Sequence, residues 1–128
     1  MRFHTAVNKF CFQASIGEPL TVWRTAYEQM RPYLYLEDAM QVFKLIIDKS
    51  IFNNEVFNVL SGNYSVRNIV EAIKEFYPNL EIKFVDSKIM NQLSYEVLFD
   101  KIKSMGFNPT KDINRGIKET LELIDINK

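Results

Sequence analysis

The run Arg31-Pro32-Tyr33-Leu34-Tyr35-Leu36-Glu37-Asp38-Ala39 gathers residue types suited to holding an anion. It sets an arginine at the mouth of a short strand, an aromatic ring two residues on, and two acids at the next helix start. A strand points alternate side chains to one face, so Arg31, Tyr33 and Tyr35 are expected to share one. The planar guanidinium can donate two parallel hydrogen bonds to a phosphate. The same spacing also allows a surface ion pair from Arg31 to Glu37 or Asp38, and spacing alone leaves both readings open.

The usual parts of a catalytic centre are missing. No GxGxxG or GxxGxxG offers a dinucleotide-phosphate cradle. No Tyr-x-x-x-Lys occurs: Tyr27, Tyr33, Tyr35, Tyr64, Tyr77 and Tyr95 are followed four residues later by Arg31, Glu37, Ala39, Asn68, Glu81 and Phe99. His4 is the single histidine, and a metal site wants a cluster of ligands. His4 therefore reads as a local hydrogen-bonding residue. The carboxylates fall at helix starts or solvated faces, and none forms a pair whose surroundings would split its pKa values. The reading is of a binding surface with no catalytic residue of its own and no metal.

Composition narrows the class further. The 128 residues suit one domain, and 47% hydrophobic with 25% charged is ordinary for a globular chain. Lys plus Arg and Asp plus Glu each number 16, which argues against nucleic-acid binding through a basic face. Cys11 is the only cysteine and lies on an apolar helical stripe, so it is expected as a small buried hydrophobe. With one cysteine and no signal peptide, a reducing cytoplasmic setting is expected. No apolar run approaches the ~20 residues that cross a bilayer.

The positioning elements follow from periodicity. Thr5 is expected to cap a helix with Val7, Phe10, Cys11 and Ala14 on one face, ended by Gly17. Leu20 to Trp23 reads as a strand, residues 24–30 as a polar loop, and Pro32 to Leu36 as a second strand. Glu37 and Asp38 open a helix with Ala39, Val42, Phe43, Ile46 and Ile47 inside. Glu55 to Leu60 reads as a third strand, followed by a turn over Ser61-Gly62-Asn63. Ser65 caps a helix burying Ile69, Val70, Ile73 and Phe76. Leu80 to Val85 reads as a fourth strand and Tyr95 to Phe99 as a possible fifth. Asp100 and Asp112 cap the last two helices, the first burying Ile102 and Met105, the second Ile113, Ile117, Leu121 and Ile124. Strands alternating with helices make the class α/β, in an α+β-like form. Phe3 and Val7 are already apolar, so the chain is expected to start inside an ordered element and to be a piece of something longer.

Four stretches in this order resemble the NAD-dependent epimerase/dehydratase family of extended short-chain dehydrogenases. The Arg31–Ala39 run resembles its arginine–aromatic–aspartate signature. Gly17 with Glu18-Pro19-Leu20-Thr21-Val22-Trp23 resembles its glycine–proline–strand segment. Glu55 to Gly62 with Ser65-Val66 resembles its strand-to-helix turn. Asp100-Lys101-Ile102 to Met105-Gly106-Phe107-Asn108-Pro109, with Gly116-Ile117 and Thr120, resembles its closing tail. The resemblance covers nearly the whole chain. It implies the carboxy-terminal substrate-binding part of such an enzyme, residues 1–128 forming one domain, with the amino-terminal Rossmann half absent.

The resemblance also implies roles. Arg31 matches the arginine on the substrate diphosphate, and Tyr33 lines the same region. Thr21 and Trp23 match the strand that meets the base, and Asn8 an asparagine near the phosphates. The substrate class would be a UDP-, dTDP- or GDP-linked sugar. NAD(P) would bind the intact enzyme and not this chain alone. The partner would be the Rossmann half or a second copy of the chain. Two departures stand out. Arg24 replaces a glycine common after the base-contacting strand. Asp86-Ser87-Lys88-Ile89-Met90-Asn91-Gln92 replaces the segment of a second arginine, where Lys88 could supply charge and Asn91 or Gln92 hydrogen bonds. The alternative is a stand-alone nucleotide-binding or protein-interaction module from a split or truncated gene.

Overall fold

Helix α1 (Ala6–Ser15) forms where the apolar spacing places it, and it buries Phe10, Cys11 and Ala14. The computed structural model describes residues 5–86, 93–110 and 112–126. Thr5 occupies the N-cap position without a side-chain capping bond, and its carbonyl accepts from Lys9 N–H. Gly17 turns the chain at φ +74°, a left-handed conformation that side chains with a Cβ resist. Strand β1 (Leu20–Trp23) follows, then a short 3-10 turn over Arg24–Ala26, strand β2 (Met30–Tyr33) and helix α2 (Leu36–Asp48). Strand β3 (Gly62–Ser65), helix α3 (Val66–Lys74), strand β4 (Ile82–Val85), helix α4 (Asp100–Ser104) and helix α5 (Ile113–Ile126) complete the order. The architecture is α/β: short strands alternate with helices.

The strands make two separate pairs. β1 and β4 run parallel, with Leu20 beside Ile82 and Trp23 beside Val85. β2 and β3 run antiparallel, with Arg31 opposite Tyr64 and Tyr33 opposite Gly62. One apolar core joins α1, β1, α3 and α5 through residues such as Cys11, Leu20, Ile69, Ile73 and Ile117. A second, smaller core gathers Val42, Ile102 and Phe107, with Phe57 and Val59 packed against it.

Local chemistry fixes the helix starts. Ser65 and Asn68 form a reciprocal capping box at α3, each side chain meeting the other's backbone N–H at 3.2 and 2.9 Å. Asp112 accepts from Arg115 N–H at 2.9 Å ahead of α5. Gly116 in α5 has a different reason. A Cβ there would lie 0.7 Å from the Tyr35 hydroxyl, so the missing side chain makes room for that ring.

Several expectations are corrected. β2 covers Met30–Tyr33, so Tyr35 leaves the strand, takes the N-cap position of α2 and turns its ring toward Gly116. Tyr35 therefore does not continue the face of Arg31. Residues 55–60 form no ladder. Phe57 and Val59 alternate inward against the smaller core, and Leu60 after them is also buried, but a strand also needs a neighbour with free backbone groups. The backbone there meets side chains: Lys101 Nζ donates to Val56 O at 3.5 Å. The expected turn at Gly62-Asn63 is the start of β3. Residues 95–99 are no strand either; Asn63 stands in for one, its side-chain amide accepting from Val97 N–H and donating to Val97 O, both at 3.0 Å. Asp100 lies inside α4, with Phe99 at the N-cap. Phe43, Ile47 and Phe76 are exposed. On α2 the buried positions are Asp38 and Val42, so the helix packs one stripe and leaves a second apolar stripe outside.

Candidate anion-binding surface

Arg31 leaves the middle of β2 with its guanidinium already held. Nη1 donates to Met30 O at 2.7 Å and Nη2 to Gln29 Oε1 at 3.0 Å. The same group lies over the Tyr95 ring, 5.0 Å from its centroid. That ring is placed by backbone bonding beside β2: Ser94 Oγ accepts from Met30 N–H at 2.9 Å, and Tyr95 N–H donates to Met30 O at 3.3 Å. Such contacts reduce the rotamer freedom an arginine must lose when it grips a ligand.

The strand is anchored at its far end by a buried carboxylate. Asp38 is fully buried. Its Oδ2 accepts from Ser61 Oγ at 2.5 Å, and its Oδ1 from Thr110 N–H at 2.9 Å and Thr110 Oγ1 at 3.0 Å. Ser61 Oγ in turn accepts from Tyr35 N–H at 2.9 Å, while Ser61 N–H donates to Tyr33 O at 2.8 Å. The acid that spacing offered as an ion-pair partner thus ties the exit of β2 to the loop before α5. Residues 23–72 positions apart in sequence meet at this point, and no local pattern announces it.

Tyr33 is half-buried against the main core, its ring 6.3 Å from that of Tyr64. Burial raises its hydroxyl pKa, with Arg31 opposing. Burial likewise raises Tyr27, Tyr35 and Tyr64, so these phenols stay protonated near neutrality and suit hydrogen bonding more than proton abstraction.

The second patch sits at the carboxyl ends of β1 and β4. Thr21 is braced from α1: its N–H donates to Gln13 Oε1 at 3.4 Å, and its hydroxyl accepts from Gln13 Nε2 at 3.2 Å. Trp23 is 47% exposed. Arg24 lies over Phe84 and faces Asp86. Asn8 is half-buried in the first half of α1. Lys88, Asn91 and Gln92 lie outside the described residues, as does His4. Arg31 and Tyr33 thus share β2, and Thr21 and Trp23 share β1. Gln13, Gln29, Ser94 and Tyr95 were missed, because each acts through the fold and carries no motif.

Among the described residues no group of three or more His, Cys, Asp or Glu side chains could hold a metal, and no helix is long and apolar enough to cross a membrane. A cavity of about 590 Å³ lies between the end of α1 and the end of α3, lined by Gly17, Glu18, Phe76 and Tyr77 among others. Arg31 and Trp23 are not in its lining.

These features define a class: an α/β unit that presents a pre-oriented arginine on one strand and an exposed indole on another. No protein-family model matches the chain. It is 31% identical over 122 residues to the UDP-sulfoquinovose synthase of Sulfolobus acidocaldarius, covering 89% of this chain and 31% of that protein. It is 30% identical over 115 residues to the chloroplastic UDP-sulfoquinovose synthase of Spinacia oleracea, covering 84% and 24%. In structure it is similar to a variant of UDP-glucuronic acid 4-epimerase from Bacillus cereus, solved in complex with UDP-4-deoxy-4-fluoro-glucuronic acid and NAD. The TM-score is 0.85 at 18% identity, over 100% of this chain and 42% of the other. The chain belongs to the NAD-dependent epimerase/dehydratase family of extended short-chain dehydrogenases, and it spans only about a quarter to a third of the length of these curated relatives.

Proposed function

We propose that this chain is the nucleotide-sugar-binding portion, carboxy-terminal in its parent, of an NAD-dependent epimerase or dehydratase, with residues 1–128 forming one substrate-binding domain. The observation that carries the reading is Arg31, whose guanidinium is fixed by Met30, Gln29 and Tyr95 on β2. A fork held in this way suits a diphosphate, which accepts paired hydrogen bonds. Tyr33 supports the same strand, while Thr21 and Trp23 on β1 meet the base. Asn8, Lys88 and Asn91 complete the set of residues assigned to the substrate.

Hydride transfer from the sugar and back to it, alone or around an elimination, is the chemistry that bound NAD(P) would supply in the intact enzyme. This chain contributes position: it holds the nucleotide so that the sugar carbon stays in place, which lowers the entropic part of the barrier. By itself it is expected to turn nothing over. Thermal shift of the purified chain with UDP-, dTDP- and GDP-sugars tests the assignment. A shift that disappears in Arg31→Ala supports it, and a shift unchanged in that variant removes it.

The partner part of the reading has its own support. Leu36, Met40, Phe43 and Ile47 recur at spacings of 4, 3 and 4 along α2 and are all exposed. A stripe of this kind marks an interaction surface. Its occupant in the proposal is the NAD-binding part of the parent, or a second copy when that part is missing.

A further inference from the structure

The contacts that hold the Arg31 guanidinium do different things. The bonds from Nη1 to Met30 O and from Nη2 to Gln29 Oε1 lie close to the guanidinium plane, because the N–H groups of that planar fork do. They stop the fork from turning within its plane. The Tyr95 ring, its centre 5.0 Å from the guanidinium carbon, limits instead how far the plane can tip. Met30 and Gln29 are chain neighbours of Arg31, whereas Tyr95 arrives on a stretch that other bonds lay beside β2. That stretch is registered at two points. Met30 N–H donates to Ser94 Oγ at 2.9 Å, and Met30 O, which holds Nη1, also accepts from Tyr95 N–H at 3.3 Å. Further on, Val97 exchanges two bonds with the Asn63 side chain, and Asn63 sits opposite Pro32 in the β2–β3 ladder. The Tyr95 side of this arrangement is 52% exposed and packs into neither apolar core. Core packing therefore gives no reason for an aromatic ring at this position, and the contact with Arg31 gives one.

We propose that Tyr95 is a positioning residue of the anion site, setting the plane of the Arg31 fork so that it meets a diphosphate edge-on. The inference rests on the nucleotide-sugar reading above and adds the residue through which the fold orients its arginine. Two parallel N–H bonds reach two phosphate oxygens only when the guanidinium plane contains both. A tipped fork keeps its charge and loses one of the two bonds. Tyr95 therefore acts on the ligand through Arg31 and needs no contact of its own. Arg31→Lys removes the dependence, since an ammonium is a point charge with no plane to set.

Calorimetric titration of the 128-residue chain with UDP tests this in a double-mutant cycle. Tyr95→Leu should weaken UDP by about three- to fivefold, the scale of one exposed cation–π contact. Tyr95→Phe keeps the ring and should bind as the native chain does. In the Arg31→Lys background, Tyr95→Leu should cost nothing further. A loss caused by unfolding would appear in both backgrounds. Native affinity in Tyr95→Leu, an equal loss in the two backgrounds, or a Tyr95→Phe variant as weak as Tyr95→Leu overturns the positioning role and leaves the clamp standing. If Arg31→Ala binds UDP as the native chain does, the parent reading falls instead. Failure of the native chain to bind UDP overturns both.

Discussion

Substituting alanine for Asp38 removes the acceptor of the bonds from Ser61 Oγ, Thr110 N–H and Thr110 Oγ1, and leaves the Ser61 hydroxyl proton without that acceptor inside the protein. A hydrogen bond to a charged group contributes about 1.5–3 kcal/mol net. The Ser61 bond counts fully, because Ser61 and Asp38 are both buried. Thr110 is exposed, so water replaces much of what it loses. Removing a desolvated carboxylate offsets part of the cost. The balance is a loss of about 2.5 kcal/mol. Asp38→Asn keeps the shape and one carbonyl oxygen for Thr110, and should lose only about 1 kcal/mol. Urea unfolding followed by the single tryptophan, Trp23, reads both. With a slope of about 1.5 kcal/mol per molar urea, the alanine midpoint should fall by about 1.7 M. The functional consequence is specific, since Ser61 bonds Tyr33 and Tyr35 at the exit of the strand that carries Arg31. An alanine variant within about 0.5 kcal/mol of the native chain, or no milder than the asparagine variant, would refute the claim that this carboxylate anchors β2.

Gly116→Ala should destabilise by about 1–3 kcal/mol, because the helical gain from alanine is smaller than the overlap with the Tyr35 ring; a raised melting temperature would contradict this. Burial pushes the Cys11 thiol from the usual 9.0 up to about 12. The folded chain keeps that proton while the unfolded chain releases it, so the contribution is complete below pH 9 and falls by about 1.4 kcal/mol per pH unit toward pH 12. Cys11→Ala should flatten that alkaline loss in urea midpoints taken at rising pH, and the native thiol should resist alkylation until the chain unfolds. The α2 stripe predicts self-association of the isolated chain, visible by light scattering and reduced in the Phe43→Ser/Ile47→Ser double variant; a clean monomer at high concentration contradicts it.

Helices with one unambiguous apolar face were legible in the sequence. The 4, 4 and 3 spacing of Ile113, Ile117, Leu121 and Ile124 predicted α5, and Val7, Phe10, Cys11 and Ala14 predicted α1. Leu20–Trp23 was legible because Gly17 and Pro19 bound it on one side. The strand expected at residues 55–60 failed because period-2 burial says which side faces inward and not whether a neighbour is there to pair. Phe43 and Ile47 failed on the same principle: α2 carries two apolar stripes, and periodicity cannot say which of them this chain covers. The anchoring of Arg31 was half legible. Its strand and aromatic neighbours were in the local pattern, whereas Ser94 and Tyr95 come from more than 60 residues away, and Asp38 looked like a surface acid until Thr110 and Ser61 closed over it.

The central claim is that Arg31 grips the diphosphate of a nucleotide sugar, and calorimetric titration with UDP-glucose tests it most directly. The account predicts saturable binding to the native chain. Arg31→Ala should weaken it by about tenfold or more, since a charge-assisted pair contributes about 1.5–3 kcal/mol, and Arg31→Lys should recover only part, because an ammonium lacks the fork. Equal affinity in the native, lysine and alanine forms would contradict the account, as would the absence of binding to the native chain.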